Sequence, residues 1–207
     1  SKAAMTQDKF YPMWPEAIYK EVNGLISMDC IELFPADDPR VLKAGILPSH
    51  IVFTDKWTAD TPPEFIKAKA RVVAGGNFEE TPEKAFENFS PTAGPTINRF
   101  FDAYCVYRGY TMYSTDCSQA FLNSPTKRDI FVRPPPGLNM GGMVWRLKKH
   151  LYGLCSAPAA WMATLTKALE KLDFKAFADD PCFLRRVDED GDEIVVEVFV
   201  DDIKWGG

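Results

Sequence analysis

The sequence has few histidines, no paired-cysteine motif and no long hydrophobic run. Its two histidines, His50 and His150, lack a partner at metal-ligand spacing, and the five cysteines include no Cys-x-x-Cys. This cysteine usage is typical of reduced thiols in an intracellular protein and predicts no zinc site. No apolar run reaches membrane-spanning length, so we expect no membrane partner.

Net positive charge is also missing. The formal net charge is −5 and the sequence pI is near 5.1, so the chain has no overall basic footprint for nucleic acid. Acidic residues concentrate from Glu79 to Glu87 and from Asp188 to Glu193. Basic residues still cluster in three places, which leaves a local cationic groove open: Lys67, Lys69 and Arg71; Lys127 and Arg128; Arg146, Lys148 and Lys149.

The chain does have apolar material for a core. Of its 207 residues, 46% are hydrophobic and 13% are aromatic, which is enough for one medium domain or two lobes. It opens at Ser1-Lys2 without an initiator methionine. That start favours a segment of a longer polyprotein, although a processed terminus would look the same.

Helical periodicity occurs in three places. The predicted helices begin at Trp14-Pro15, Pro95 and Pro158, where proline suits the first turn, and Gly109 is a natural stop for the second. The first helix is expected to bury one apolar face, made of Ile18, Val22, Leu25 and Ile26.

Apolar runs predict six strands, at 67–74, 111–116, 130–132, 144–147, 183–187 and 193–200. The last two flank Asp190-Gly191, which signals an antiparallel hairpin. The proline-punctuated segment from Ile31 to Thr61 is expected to be irregular. Because there is no glycine-rich phosphate loop, these elements predict an α+β fold, with a mainly antiparallel sheet backed by helices.

Two adjacent carboxylates are the main candidates for chemistry. Asp201 and Asp202 follow an apolar strand at the tip of the final hairpin, and Asp116 ends another strand far upstream. Neighbouring acids repel each other, whereas hard oxygen ligands on rigid strands suit Mg²⁺ that also takes phosphate oxygens, as in polymerases. Taken singly, adjacent aspartates at a hairpin tip are more often solvated turn residues, and Asp116 could be a strand-end cap.

Seven segments, taken together, say more about function than the acids taken singly. They are Lys67-Ala68-Lys69-Ala70-Arg71-Val72-Val73-Ala74, Glu87-Asn88-Phe89-Ser90-Pro91, Asp116-Cys117-Ser118-Gln119-Ala120-Phe121-Leu122, Pro135-Pro136-Gly137, the run from Val144 to Leu154, Ala157-Pro158-Ala159-Ala160-Trp161 and Phe199-Val200-Asp201-Asp202-Ile203. In order and spacing they resemble the reverse transcriptase of copia-type LTR retrotransposons. The resemblance runs from about Trp14 to the C-terminus.

The resemblance implies an RNA-directed DNA polymerase with three palm carboxylates, Asp116, Asp201 and Asp202. In such enzymes two Mg²⁺ ions, for which Mn²⁺ can substitute, bridge the acids and the incoming triphosphate. Asp116 and Asp201 would be direct ligands, Asp202 would support them, and the backbone carbonyl of Cys117 would also reach a metal. The implied partners are a dNTP and an RNA or DNA template with its primer.

Other residues resemble the family's substrate pocket. Phe121 matches the position that selects deoxyribose by steric exclusion, although it also reads as a core phenylalanine. Tyr152 and Gly153 resemble the loop that lines the nucleotide pocket. Lys69 and Arg71 resemble fingers residues that contact triphosphate oxygens, with solvated strand charge as the competing interpretation.

The resemblance also implies how the chain is divided. Residues 14–95 and 122–157 would form the fingers, and residues 96–121 and 158–207 part of the palm. The right-hand fold would be truncated before the thumb and RNase H domain of the remaining Pol polyprotein. The family implies a cytoplasmic virus-like particle or the nucleus as the location.

The chain departs from the family at positions where cations are common. Gly75-Gly76, Cys155-Ser156 and Ala159-Ala160 are all neutral. Each missing charge weakens phosphate binding. A catalytically inactive retroelement remnant with a structural or protein-interaction role is therefore the second hypothesis. A metal-dependent phosphodiesterase is the third, and it lacks a suitable histidine or lysine.

Overall fold

The computed structural model describes residues 13–56, 67–79, 89–138, 141–177 and 180–207. The described α-helices are α1 Trp14–Ser27, α2 Pro39–Ala44, α3 Pro95–Arg108 and α4 Ala157–Glu170. The strands are β1 Ile31–Pro35, β2 Ile46–Leu47, β3 Ser49–Lys56, β4 Lys67–Ala74, β5 Met112–Asp116, β6 Phe131–Val132, β7 Met143–Leu147, β8 Lys175–Phe177, β9 Asp180–Val187, β10 Glu193–Phe199 and β11 Asp202–Gly206. The protein is thus a mixed α/β structure with antiparallel sheets and few helices.

The chain divides into two compact units. Unit 1 takes in Ser1–Thr81 and Pro125–Ala157, and unit 2 takes in Pro82–Ser124 and Pro158–Gly207. All five cysteines are free thiols, as predicted, and three of them are buried. None of the helices within the described ranges is both long and apolar enough to cross a membrane.

Unit 1 contains a four-stranded sheet in the order β1-β7-β6-β2 and a β3-β4 hairpin. Among the described strands of this unit, β2–β6 is the only parallel pair. Phe34 and Phe131 meet edge to face in the core of the larger sheet, with ring centroids 5.6 Å apart. The side chains of Val41 and Val144 complete this cluster, so the core draws on β1, β6, β7 and the short helix α2.

The prediction of an irregular segment from Ile31 to Thr61 was wrong, because β1, α2, β2 and β3 lie within it up to Lys56. Its prolines delimit elements instead of disrupting them. Pro35 ends β1, and Pro39 occupies the first turn of α2, where the Asp38 carboxylate caps the helix by accepting from the Arg40 amide at 2.9 Å. The residues from Trp57 to Thr61 lie outside the described ranges.

Helix α1 packs on the β3-β4 hairpin through a face that differs from the predicted one. Leu25 is buried as expected, but Ile26 is exposed and Glu21 is buried. The Glu21 carboxylate accepts a hydrogen bond from the Val72 amide at 3.0 Å. Burial raises the pKa of Glu21, and this amide and the nearby Arg71 and Lys69 offset the rise only in part.

Unit 2 is a five-stranded antiparallel sheet in the order β5-β11-β10-β9-β8. Its central strand β10 packs on both faces: Val195 lies against Phe101 of α3, while Val196 and Val198 share a core cluster with Trp161 of α4. Burial on both faces explains the nearly continuous apolar run of this strand.

The element predictions for unit 2 are largely confirmed. Helix α3 begins at Pro95 and ends at Arg108, and the left-handed φ of 71° at the following Gly109 closes the helix. The predicted hairpin forms, although β9 begins at Asp180 and not at Phe183.

Candidate active site

The strand register of unit 2 brings the mid-chain acid to the hairpin acids. Strand β11 pairs with β5, and Asp202 is the direct partner of Asp116. Directly paired residues on antiparallel strands have Cβ atoms about 4.5–5.5 Å apart. Asp201 immediately precedes Asp202, so the sheet presents three carboxylate residues at one end.

The three acids are open to ligands from solvent. Asp116 and Asp202 are exposed and Asp201 is half-buried. None of their carboxylates is hydrogen-bonded or ion-paired to another residue in the described part of the chain. Carboxylate oxygens are the hard ligands that Mg²⁺ takes, so these residue types suit a divalent cation. The side chains themselves are not gathered about one point, since no three His, Cys, Asp or Glu groups of the described residues form a metal-sized cluster.

The turn that carries Asp201 has a strained backbone. Strand β10 ends at Phe199 and β11 begins at Asp202, and these two residues are paired. Only Val200 and Asp201 remain in the loop, and Val200 has a φ of 57°. A positive φ at the first position of a two-residue hairpin loop normally calls for glycine, and for a β-branched residue it is a genuine outlier. Such strain persists only where the surrounding structure holds it in place.

Two hydrogen bonds hold this turn from neighbouring elements. The indole N–H of Trp161 on α4 donates to the Val200 carbonyl at 2.6 Å. The backbone N–H of Cys117, next to Asp116, donates to the Asp201 carbonyl at 2.7 Å. The Cys117 thiol is partly buried, and burial, with Asp116 and Asp201 nearby, raises its pKa. The free thiol is therefore protonated at neutral pH.

Phe121 follows the acid strand in a short 3₁₀ helix, Ala120–Asn123. Its ring is partly buried and packs against the core cluster that also contains Trp161 and Val198. The residue before this helix, Gln119, has a left-handed φ of 55°, and its carbonyl accepts from the Asn123 side chain at 3.2 Å. Phe121 is thus anchored to the core of unit 2, the unit that holds the three acids.

The remaining predicted site residues come together in unit 1. The Arg71 guanidinium lies 5.4 Å from the centre of the Tyr152 ring, and the Ala74 amide donates to the Tyr152 carbonyl at 2.8 Å. Lys69 is exposed two residues before Arg71 on β4, so both project from the same face of the strand. Gly153 has a φ of 89°, and a Cβ there would overlap the Ala74 carbonyl.

One residue of this region was missed by sequence reasoning. Glu79, which the sequence showed only as part of a concentration of acidic residues, has a buried carboxylate. It accepts hydrogen bonds from the Cys155 amide at 2.9 Å and the Ser156 hydroxyl at 3.1 Å, and it forms an ion pair with Arg128. Glu79 therefore fixes the loop after Tyr152-Gly153. No local pattern signals this role, because Arg128 is 49 residues away.

Three cations of the basic clusters in unit 1 form ion pairs, namely Arg128, Arg146 and Lys148. Besides the Arg128–Glu79 pair, Arg146 contacts Asp129 at 2.8 Å and Glu32 at 3.1 Å. Lys148 contacts Asp29 at 2.7 Å. These contacts reduce the positive charge that the clusters offer to phosphates.

Comparison with known proteins defines the class to which this fold and acid-bearing hairpin belong. The family described as "Reverse transcriptase (RNA-dependent DNA polymerase)" matches residues 37–207. The chain belongs to this family, and its predicted resemblance to copia-type reverse transcriptases is confirmed.

Its relatives are transposon polyproteins. The chain is 29% identical over 204 residues to "Retrovirus-related Pol polyprotein from transposon RE2" of Arabidopsis thaliana, covering 97% of this chain and 13% of that protein. The corresponding RE1 polyprotein is 30% identical over 194 residues, covering 92% and 13%. "Transposon Ty1-NL2 Gag-Pol polyprotein" of Saccharomyces cerevisiae is 27% identical over 190 residues, covering 91% and 10%. The chain thus spans a small part of the length of these relatives.

Proposed function

We propose that this chain carries the nucleotidyl-transfer site of an RNA-directed DNA polymerase, which joins a dNTP to a primer 3′-hydroxyl on an RNA or DNA template. The pairing of Asp202 with Asp116 is the observation that carries the proposal. It places acids from two distant parts of the sequence at one end of a rigid sheet, beside Asp201. Polymerases need such a set of hard oxygen ligands where phosphate is transferred.

Each acid then has a defined part. Asp116 and Asp201 hold two divalent cations, Mg²⁺ or Mn²⁺, Asp202 supports them from the start of β11, and the Cys117 carbonyl adds a neutral oxygen. When bound, these ions lower the pKa of the primer hydroxyl and stabilise the leaving pyrophosphate. The exposed position of the acids leaves room for the triphosphate and the primer end.

Substrate recognition is assigned to the residues that resemble the family's substrate pocket. Phe121 supports the deoxyribose and excludes a 2′-hydroxyl, and its anchoring in the core gives it the rigidity that steric selection needs. Lys69 and Arg71 bind triphosphate oxygens. Tyr152 and Gly153 line the nucleotide pocket, and the contact of the Tyr152 ring with Arg71 supports a shared role. We assign residues 14–95 and 122–157 to the fingers and residues 96–121 and 158–207 to part of the palm of a right-hand polymerase, with a thumb and RNase H domain elsewhere in the Pol polyprotein.

A structural or protein-interaction role for a catalytically inactive descendant is the second candidate. The ion pairs of Arg128, Arg146 and Lys148 favour it, because paired cations bind phosphate less strongly. The net charge of −5 points the same way.

Primer extension by the full-length protein that contains this chain separates the two candidates. The wild type should incorporate dNTPs in Mg²⁺ or Mn²⁺, and Asp201→Asn should abolish incorporation. Asp190→Asn is the matched control, since Asp190 lies in the exposed β9–β10 turn and should leave activity unchanged. A wild-type protein that incorporates nothing with either metal rejects the polymerase and leaves the structural role.

A further inference from the structure

Trp161 packs in the core of unit 2, and its indole also contacts the turn that carries Asp201. Its ring is 6% exposed and packs in the core cluster with Val196 and Val198, the strand residues that lead into the acid-bearing turn. The helical periodicity of the sequence accounts for the burial of the ring. It does not account for the indole N–H, which bonds to the Val200 carbonyl outside the helix.

That carbonyl belongs to the strained residue of the turn. A valine at a φ of 57° relaxes toward an ordinary conformation unless outside contacts hold its peptide groups. The Trp161 bond holds the peptide between Val200 and Asp201, and the Cys117 bond holds the peptide between Asp201 and Asp202. Two consecutive peptide planes are thereby fixed from helix α4 and from the end of β5. Their orientation determines where the carboxylates of Asp201 and Asp202 point.

We propose that Trp161 is a positioning residue that sets the carboxylates of Asp201 and Asp202 through its hydrogen bond to the Val200 carbonyl. The inference rests on the proposed function of these acids. Partners that orient metal ligands without touching the metal typically contribute about 10–100-fold to metal affinity or activity. A misplaced catalytic group has a comparable effect on rate.

Two variants remove the donor with different effects on packing. Trp161→Phe deletes the N–H together with part of the ring, which also leaves a cavity. Replacement of Trp161 by β-(3-benzothienyl)alanine puts sulfur in place of the N–H and keeps the ring shape, so it tests the bond even where the phenylalanine variant folds poorly.

Trp145→Phe is the matched control. Trp145 is fully buried, and its indole nitrogen has no hydrogen-bond partner among the described residues. The substitution therefore removes a buried indole N–H and some packing without removing a hydrogen bond. It should leave the turn and the acids as they are.

Three measurements on the full-length protein decide the proposal. Loss of the Trp161 bond should speed hydrogen exchange of the Cys117 amide, which reports on the turn, by about 10-fold. It should also weaken Mn²⁺ binding, followed by electron paramagnetic resonance, by about 10-fold and lower kcat to a similar degree. The KM for dNTP should change little. Trp145→Phe should shift none of these values.

The outcomes separate this inference from the proposed function. Wild-type Mn²⁺ affinity and kcat in both Trp161 variants overturn the role of Trp161 and leave the polymerase intact. Unchanged exchange of the Cys117 amide overturns it as well. If the wild type binds no Mn²⁺, or binds it as well after Asp201→Asn, the proposed function of the acids fails, and the positioning role fails with it.

Discussion

Glu193 and Glu197 lie four residues apart on the same face of β10 and are both buried, yet their surroundings are opposite. The Glu193 carboxylate accepts from the hydroxyls of Tyr104 and Tyr110 at 2.9 and 2.5 Å. It is also ion-paired with Arg108 and Arg185. Neither oxygen of Glu197 has a hydrogen-bond partner in the described part of the chain, and its nearest cation, Lys204, is 3.6 Å away. One carboxylate is therefore well solvated by the protein and the other is not.

Glu197→Gln should stabilise the protein at neutral pH. Burial raises the pKa of Glu197 more than Lys204 lowers it, so the ionised form is disfavoured in the folded state. We expect a gain of about 1 kcal/mol in the free energy of unfolding, within the range for an unsatisfied buried group. Because a raised pKa adds stability only at low pH, the gap between variant and wild type should close as the pH falls. Urea unfolding across pH checks this, with the exposed Glu189→Gln as control.

Glu193→Gln should destabilise the protein. Burial alone would raise the pKa of Glu193, but hydrogen bonds from Tyr110 and Tyr104 and the charge of Arg185 outweigh it and lower the pKa. The stability that Glu193 contributes is therefore present at neutral pH and is lost as the pH falls through its lowered pKa. We expect a loss of about 2–3 kcal/mol at neutral pH, the range for hydrogen bonds to charged groups. A smaller unfolding free energy for Glu197→Gln than for Glu193→Gln would contradict both assignments.

Val200→Gly should stabilise the fold and weaken the site. Glycine accepts the positive φ without a steric penalty, so we expect a gain of about 1 kcal/mol. The freer turn should hold Asp201 and Asp202 less rigidly and bind Mn²⁺ more weakly. Thermal unfolding and Mn²⁺ titration measure the two effects. The same exchange at Val187, in strand β9, relieves no positive φ and should only destabilise.

Gly76→Ala should disrupt the contact between the end of β4 and the Tyr152 loop. A Cβ at Gly76 would overlap the Gly153 carbonyl oxygen, which is backbone and cannot rotate away. We expect a loss of at least about 2 kcal/mol, typical of overpacking at a rigid contact. Gly94→Ala is the control, since a Cβ there meets no atom within 4 Å. Equal melting temperatures for the two variants would exclude this close approach.

Phe121→Ala should admit ribonucleotides. Removing the ring opens space for a 2′-hydroxyl, so the ratio of kcat/KM for dNTP over rNTP should fall by about 10-fold or more. Leu169→Ala is the control, because Leu169 packs against the same core cluster and lies on α4. Sugar selectivity that is unchanged by Phe121→Ala, or equally lowered by Leu169→Ala, would remove the gate role.

Local patterns in the sequence were sufficient for most of the described helices and for strands β5, β9 and β10 of unit 2, but not for β8 and β11. They failed between Ile31 and Lys56, where prolines at element ends were taken as signs of irregular structure. They also misjudged the buried face of α1. Glu21 is buried there because it meets the Val72 amide, a partner 51 residues away that helical periodicity cannot register.

For the candidate acids, too, the sequence predicted one part and the tertiary structure supplied the other. Asp116, Asp201 and Asp202 could be chosen from their position at strand ends, but their meeting depends on the pairing of β5 with β11. The sequence singled out Trp161 as part of a family-like segment, but it did not predict the hydrogen bond of its indole. Its bond to the Val200 carbonyl requires the helix and the turn to pack side by side.

The sequence by itself determined the family, most of the elements and the three acidic candidates, because motif order and apolar periodicity are properties of neighbouring residues. Tertiary structure alone decided the register of Asp116 with Asp202 and the strain at Val200. It also decided the burial and the hydrogen-bond partners of Glu79, Glu193 and Glu197. It also decided that the cations Arg128, Arg146 and Lys148 are ion-paired. The physical reason is that charge, strain and hydrogen bonding depend on which distant groups share a buried space, and short stretches of sequence carry no record of those partners.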